Sequence, residues 1–144
     1  MKLLKNCKTI KGLKFEYGGE FNFIYNSSTT NHSAYRPEFT CETEHKNKRH
    51  VIYAHCVDDE IVYIGETSNT FYKRMYYYCN HKGPTNVRVR NYFEKQYIEG
   101  KEIETYLYKP ENVLIEGLMV NPYIGIEQKL INELNPILNR KNVY

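Results

Sequence analysis

Apolar and polar positions alternate most clearly between Val51 and Thr67, where two short apolar runs flank the acidic stretch Asp58-Asp59-Glu60. Side chains on a strand repeat every two residues, so a hairpin's loop length decides which residues share a face. A three-residue loop, Asp58 to Glu60, puts Ile52, Ala54, Cys56, Val62 and Ile64 on one wholly apolar face. Val51, Tyr53, His55, Val57, Ile61, Tyr63 and Gly65 then share the other. A two-residue loop would set Tyr63 among Ile52, Ala54 and Cys56, which segregates the chain less cleanly.

Upstream, Leu13 to Tyr17 and Phe21 to Tyr25 alternate on either side of Gly18-Gly19 and predict a hairpin; Asn26 to His32 reads as loop. Downstream, Thr67, Ser68 or Asn69 can cap a helix in which Phe71, Met75, Tyr78 and Cys79 form one apolar stripe with Arg74 at its border. Gly83-Pro84 breaks that helix, and a second is predicted over 87–98, stopped by Gly100. A strand is expected over 103–108 and ends at Lys109-Pro110. Val113-Leu114-Ile115 fits either a short strand or a buried loop. The last helix runs from about Tyr123 to Leu134, with Ile124, Glu127, Leu130, Ile131 and Leu134 along one side and Asn135-Pro136 as its stop.

A chain of 144 residues is one domain's worth, long enough for a real core. The 41% apolar content counts 15 tyrosines, so many core side chains have polar tips. The formal charge of +3 says little about partners, and the local distribution says more. Four cysteines show neither C-x-x-C nor zinc-like spacing, and Cys56 and Cys79 fall in apolar patterns as reduced core residues. The first apolar run is too short for a signal peptide and no run approaches membrane-span length. The expectation is a reducing cytoplasm with no membrane partner.

Glu127 is the most informative residue, because it puts a carboxylate on an apolar helix stripe. An unpaired buried carboxylate costs several kcal/mol, so this one needs a cation, a metal or a proton. A Glu at the stripe's margin, paired with Lys or Arg, is the plainer alternative. Arg74 beside aromatics fits either a stacked side chain or a guanidinium that grips phosphate. The stretch 67–93 contains no acid, while Lys73, Arg74, Lys82, Arg88 and Arg90 interleave with Tyr72, Tyr76, Tyr77, Tyr78 and Tyr92. Basic groups among rings suit a polyphosphate backbone, although a solvated helix face above a Tyr-rich core would look similar. Tyr53, Tyr63 and His55 would be ordinary strand residues if taken singly.

Together, Val51-Ile52-Tyr53, Tyr63-Ile64-Gly65 ten residues on, Arg74 in a helix, Glu127 in a later helix and Asn139 near the end resemble the GIY-YIG nuclease family. The resemblance spans residues 50 to 140 and is nearest to the small phage endonucleases and restriction enzymes of that family. It implies that Tyr53 deprotonates the attacking water or passes that proton onward, and that Tyr63 contacts the scissile phosphate or supports the base. It further implies that Arg74 stabilises phosphate charge, that Glu127 alone ligates a divalent metal, and that Asn139 braces the site. Tyr78 stands where members carry His or Tyr. One hard cation on one carboxylate fits Mg²⁺, or Mn²⁺ in its place. The chain departs from the family pattern in having Val51 for Gly, one extra residue before Arg74, and Glu66 after the Tyr-Ile-Gly, where it would point away or pair with Arg74.

The expected fold is α/β of the α+β type: a small, mostly antiparallel sheet of about three strands flanked by helices, over residues 49–144. Residues 1–48 form an N-terminal extension that contacts DNA or drives oligomerisation. The expected activity is metal-dependent hydrolysis of double-stranded DNA, with Lys73, Lys82, Arg88 and Arg90 as backbone contacts. A homo-oligomer would be needed to cut both strands. A nicking enzyme and a non-catalytic DNA binder of the same fold are the alternatives.

Overall fold

The computed structural model describes residues 7–25 and 35–140. Eight strands, β1 (Cys7–Ile10), β2 (Leu13–Tyr25), β3 (Tyr35–Cys41), β4 (Val51–Val57), β5 (Glu60–Thr67), β6 (Ile103–Tyr108), β7 (Val113–Ile115) and β8 (Leu118–Val120), are joined by three helices. The helices are α1 (Phe71–Asn80), α2 (Pro84–Ile98) and α3 (Tyr123–Leu134), with 3-10 turns at Thr43–His45 and, near the end of the described chain, Ile137–Asn139. Six strands form one antiparallel sheet in the order β1-β2-β6-β4-β5, with β3 also on β2. The sheet is therefore wider than three strands, because the segment before residue 49 supplies β1, β2 and β3.

The hairpin expected at Gly18-Gly19 is instead one continuous strand. Its register against β6 slips between Tyr17 and Gly19, a bulge that bends β2 without reversing it. Both glycines are required by crowding. A Cβ on Gly18 would lie 2.7 Å from the Phe71 ring, and one on Gly19 2.2 Å from the Thr40 carbonyl. The predicted loop at Asn26 to His32 falls outside the described residues.

The β4–β5 turn also departs from expectation. Val57 pairs with Glu60, so the turn has two residues, Asp58 and Asp59, both at positive φ (46° and 72°). The extra residue lies further on: His55 faces Tyr63 while Cys56 faces Ile61, which makes Val62 a bulge. One inserted residue has the same parity effect in the strand as in the loop, so Tyr53, His55, Tyr63 and Gly65 still share a face. Only the two residues before Tyr63 trade places. Val62 packs in the core with Tyr53, and Ile61 joins Ile52, Ala54 and Cys56.

The sheet is buried on both sides. Beneath α1 and α2 lie Phe21, Tyr53, Val62, Phe71, Tyr78, Phe93 and Leu107. Beneath α3 lie Phe15, Ile52, Ala54, Ile64 and Tyr106 with Leu130. Helix α1 starts one residue later than the predicted caps, at Thr70, whose hydroxyl accepts the Lys73 amide at 3.2 Å. The carbonyls of Lys48 and Lys46 take the amides of Phe71 and Tyr72, so the basic stretch 45–50 serves partly as backbone cap. Proline at its first position starts α2 at Pro84, earlier than the apolar pattern suggested. On α3, Ile124 is 52% exposed and does not belong to the packed stripe; Tyr123 and Ile126 pack there instead.

Candidate active site

Strand β4 carries Tyr53 into the interior at 1% exposure, and β5 lets it pass because residue 65 is glycine. Gly65 lies opposite Tyr53, and a Cβ there would fall 2.6 Å from both the phenol oxygen and Cζ of that ring. The glycine of the Tyr-Ile-Gly run is thus a close-approach requirement.

Two polar groups meet at the Tyr53 hydroxyl. Arg74 Nε donates to it at 3.0 Å, and the Tyr78 hydroxyl shares a hydrogen bond with it at 2.8 Å. Arg74 and Tyr78, one helical turn apart on α1, also touch each other, the guanidinium carbon lying 4.1 Å above the Tyr78 ring. The other end of Arg74 is fixed by Asn86 on α2, whose side-chain oxygen accepts from Nη1 at 2.8 Å. No hydrogen bond to Nη2 occurs among the described residues. Tyr63 completes the cluster at 6.4 Å between ring centroids from Tyr53.

Burial pushes the Tyr53 hydroxyl well above the usual phenol range, even against the opposing Arg74 charge and its hydrogen bonds. Tyr78 and Tyr63 move in the same direction, again chiefly by burial. The arginine therefore does not by itself make a phenolate; all three rings keep their protons in the bare protein.

His55 lies below this cluster, fully buried, with Nδ1 2.8 Å from the Thr105 hydroxyl and its ring stacked on Tyr63. Burial, reinforced by Arg74, holds its pKa well below the ordinary histidine value, so it is a neutral core residue. Asn139 grips the backbone of the motif from outside. Its side-chain oxygen accepts the Ile64 amide at 2.8 Å and its amide donates to the Ile64 carbonyl at 2.9 Å. This pair of bonds acts as an extra strand residue along the β5 edge, next to Tyr63 and Gly65.

Glu127 is 9% exposed on α3. Its hydrogen bond is from Gln128 Nε2 at 2.9 Å, and no Lys or Arg pairs with it among the described residues. The ion-paired alternative finds no partner among the described residues. Burial raises its pKa, Gln128 opposes, and the nearby Glu66 raises it further. Glu66 alternates onto the α3 side of β5, opposite Ile52, so it does not face Arg74, and its charge bears on Glu127. Glu127 in turn raises the pKa of Tyr63, which places its field at the cluster's edge although no hydrogen bond joins them.

The structure thus brings Tyr53, Tyr63, Arg74 and Tyr78 together, puts Glu127 near enough to Tyr63 for its charge to be felt there, and uses Asn139 as a brace. Of the four candidate DNA contacts, Lys73 and Lys82 are exposed. Arg90 donates to the Tyr78 carbonyl at 2.6 Å and Arg88 to the Leu138 carbonyl at 2.6 Å, so both also tie helices to the body. Asn86 and Thr105 escaped the sequence reading. Neither lies on a periodic stripe, and only tertiary contacts reveal them.

No group of three or more His, Cys, Asp or Glu residues forms a metal cluster among the described residues. A buried carboxylate with no counter-charge among the described residues, pushed toward protonation by burial and by a second acid, does fit a cation held largely by water and substrate oxygens. The donor set is hard oxygen, which suits Mg²⁺ or Mn²⁺ rather than a thiolate-loving ion.

Residues 49–142 match the model of the GIY-YIG catalytic domain. Among solved structures, a mutant of bacteriophage T4 EndoII superposes with a TM-score of 0.61 at 25% identity, over 88% of this chain and 92% of that one. The restriction endonuclease HPY188I in complex with product DNA gives 0.45 at 19% identity, over 83% and 70%. No curated protein sequence matches the chain. The chain belongs to the GIY-YIG family and is a GIY-YIG-type DNA endonuclease.

Proposed function

We propose that the protein is a divalent-metal-dependent endonuclease that cuts both strands of duplex DNA, as a restriction or phage-type enzyme, two copies acting together. The observation that carries this reading is the Arg74–Tyr53–Tyr78 hydrogen-bonded group, with Glu127 buried on α3 and holding no ion pair among the described residues. In this reading Arg74, anchored at Nε and Nη1, offers Nη2 to a phosphate oxygen. Its geometry is set before substrate arrives, so little reorganisation accompanies the reaction.

The raised phenol pKa favours one of the two roles open to Tyr53. A phenol that stays protonated does not act as a resting base. It passes a proton on, accepting one from the attacking water while its own goes to a phosphate oxygen of the substrate; Tyr78, itself protonated, orients the Tyr53 hydroxyl through the 2.8 Å bond. Tyr63, partly exposed at the cluster's rim, contacts the phosphate and orients the incoming water. Glu127 would hold Mg²⁺ or Mn²⁺, which supplies Lewis-acid stabilisation of charge on the leaving oxygen. Lys73 and Lys82 take backbone phosphates, with Arg88 and Arg90 behind them.

Each copy has one such site, so a single encounter breaks one strand. Supercoiled plasmid distinguishes the readings. With Mg²⁺ the wild type should yield linear DNA, and with chelator neither nicked nor linear product. Nicked circles alone, at any enzyme concentration, would favour a nicking enzyme. Full cleavage in chelator would refute the metal requirement.

A further inference from the structure

The segment between β6 and α3 builds a second, separate sheet of two strands. β7 and β8 pair Val113 with Val120, Leu114 with Met119 and Ile115 with Leu118. Glu116 and Gly117, at φ 51° and 81°, make the tight turn that such a hairpin requires. Both of its faces are apolar, and all six strand side chains are 36–67% exposed. A lone two-stranded hairpin is marginal in water. Six such side chains amount to roughly 500 Å² of apolar surface, at the limit a monomer leaves in one patch. The stem is nonetheless fixed, for Asn121 donates to the Pro110 carbonyl at 2.9 Å and to Asn112 at 3.1 Å, and accepts the Tyr123 amide at 3.1 Å.

We infer that this hairpin seats on a second copy of the chain, in the groove where α3 meets the β1–β2 turn. That groove holds about 410 Å³ and is lined by Leu13, Ile126 and Leu130, with Gly125 leaving its wall open. Lys11 and Lys129 also line the groove, Lys129 already paired with Glu133 at 3.5 Å. The hairpin's one charge is Glu116 at its tip, so its chemistry matches an apolar groove beside lysines. The same acid, with no base on either strand, argues against a polyphosphate as occupant. Pro122 links stem and groove, so two copies related by a two-fold axis could make the contact reciprocally. Together the hairpin and groove approach the about 800 Å² per partner of a standard interface.

This deepens the two-copy reading above and rests on it, but it is tested without DNA, so its failure leaves the nuclease assignment standing. Sedimentation velocity at 10–100 µM compares the wild type with Leu114→Lys/Met119→Lys on the hairpin and Gly125→Arg in the groove. Those positions are exposed, and arginine suits a helix better than glycine, so all three proteins should keep the wild-type circular dichroism. The expected result is twice the chain mass or more for the wild type and the single-chain mass for both variants, which then nick plasmid but lose most linear product. A monomeric wild type, or either variant retaining the wild-type mass, overturns the inference.

Discussion

Replacing Gly65 by alanine is the sharpest perturbation of the site that leaves every catalytic group in place. The added methyl would lie 2.6 Å from the phenol oxygen and Cζ of Tyr53, about 1 Å inside ordinary contact. The Tyr53 ring is sealed at 1% exposure, with its hydroxyl tied at 2.8 Å to Tyr78 and 3.0 Å to Arg74. It has no free space to enter, so either β5 or the ring must move. Overpacking of this kind costs about 1–3 kcal/mol of stability. A ring displaced by about 1 Å loses both hydrogen bonds, and misplacement on that scale lowers a rate by about 10²-fold. Urea unfolding should show the stability loss, and single-turnover cleavage of a labelled duplex should show the rate loss, with DNA affinity nearly unchanged. Destabilisation with a wild-type cleavage rate would refute the reasoning, because Tyr53's position would then not matter to the chemistry.

Asn139→Ala removes both bonds to the Ile64 backbone and should cost about 1–3 kcal/mol in urea, with slower cleavage. Asn86→Ala frees one end of Arg74 and should slow single-turnover cleavage about tenfold at unchanged fold, the worth of one charge-assisted hydrogen bond. Glu127 gives a pH prediction. Burial raises its folded pKa above the ordinary glutamate value, so the folded state holds its proton more tightly than the unfolded one, and stability falls as pH rises from below the ordinary value through the folded one. In chelator, Glu127→Gln should therefore melt higher than wild type at neutral pH, the difference vanishing below about pH 4. Adding Mg²⁺ should stabilise the wild type and not the variant, by about 1.4 kcal/mol at ten times the dissociation constant. Differential scanning fluorimetry reads both effects.

Much of the site was legible in the chain because its constraints are local. The Tyr-Ile-Gly run, the Arg74–Tyr78 spacing and Glu127 on an apolar stripe are all periodic signals. The pairing parity of the two tyrosines was legible as well, but not its cause. A bulge at Val62 has the same parity effect as a three-residue loop, and alternation alone does not separate them. Glycine pairs are ambiguous in the same way. Gly18-Gly19 marks close packing against Phe71 and Thr40 in a bent strand, where composition suggested a turn. The width of the sheet was hidden for a related reason, since β2 pairs across about ninety residues with β6, and such pairing leaves no local trace. Strand alternation alone puts Glu66 on the α3 side, away from Arg74, but only tertiary packing brings it near Glu127. Val113-Leu114-Ile115 is the short strand of its two readings, but its apolar composition gave no sign that the fold leaves it exposed.

The central claim is that Tyr53 and Glu127 carry phosphodiester hydrolysis on a scaffold that binds DNA without them. Single-turnover cleavage of a labelled duplex in Mg²⁺, with binding measured on the same samples, compares the wild type with Tyr53→Phe and Glu127→Ala. Both variants should keep wild-type affinity, with cleavage slower by about 10²-fold or more in each. Cleavage by either variant at the wild-type rate would contradict the claim.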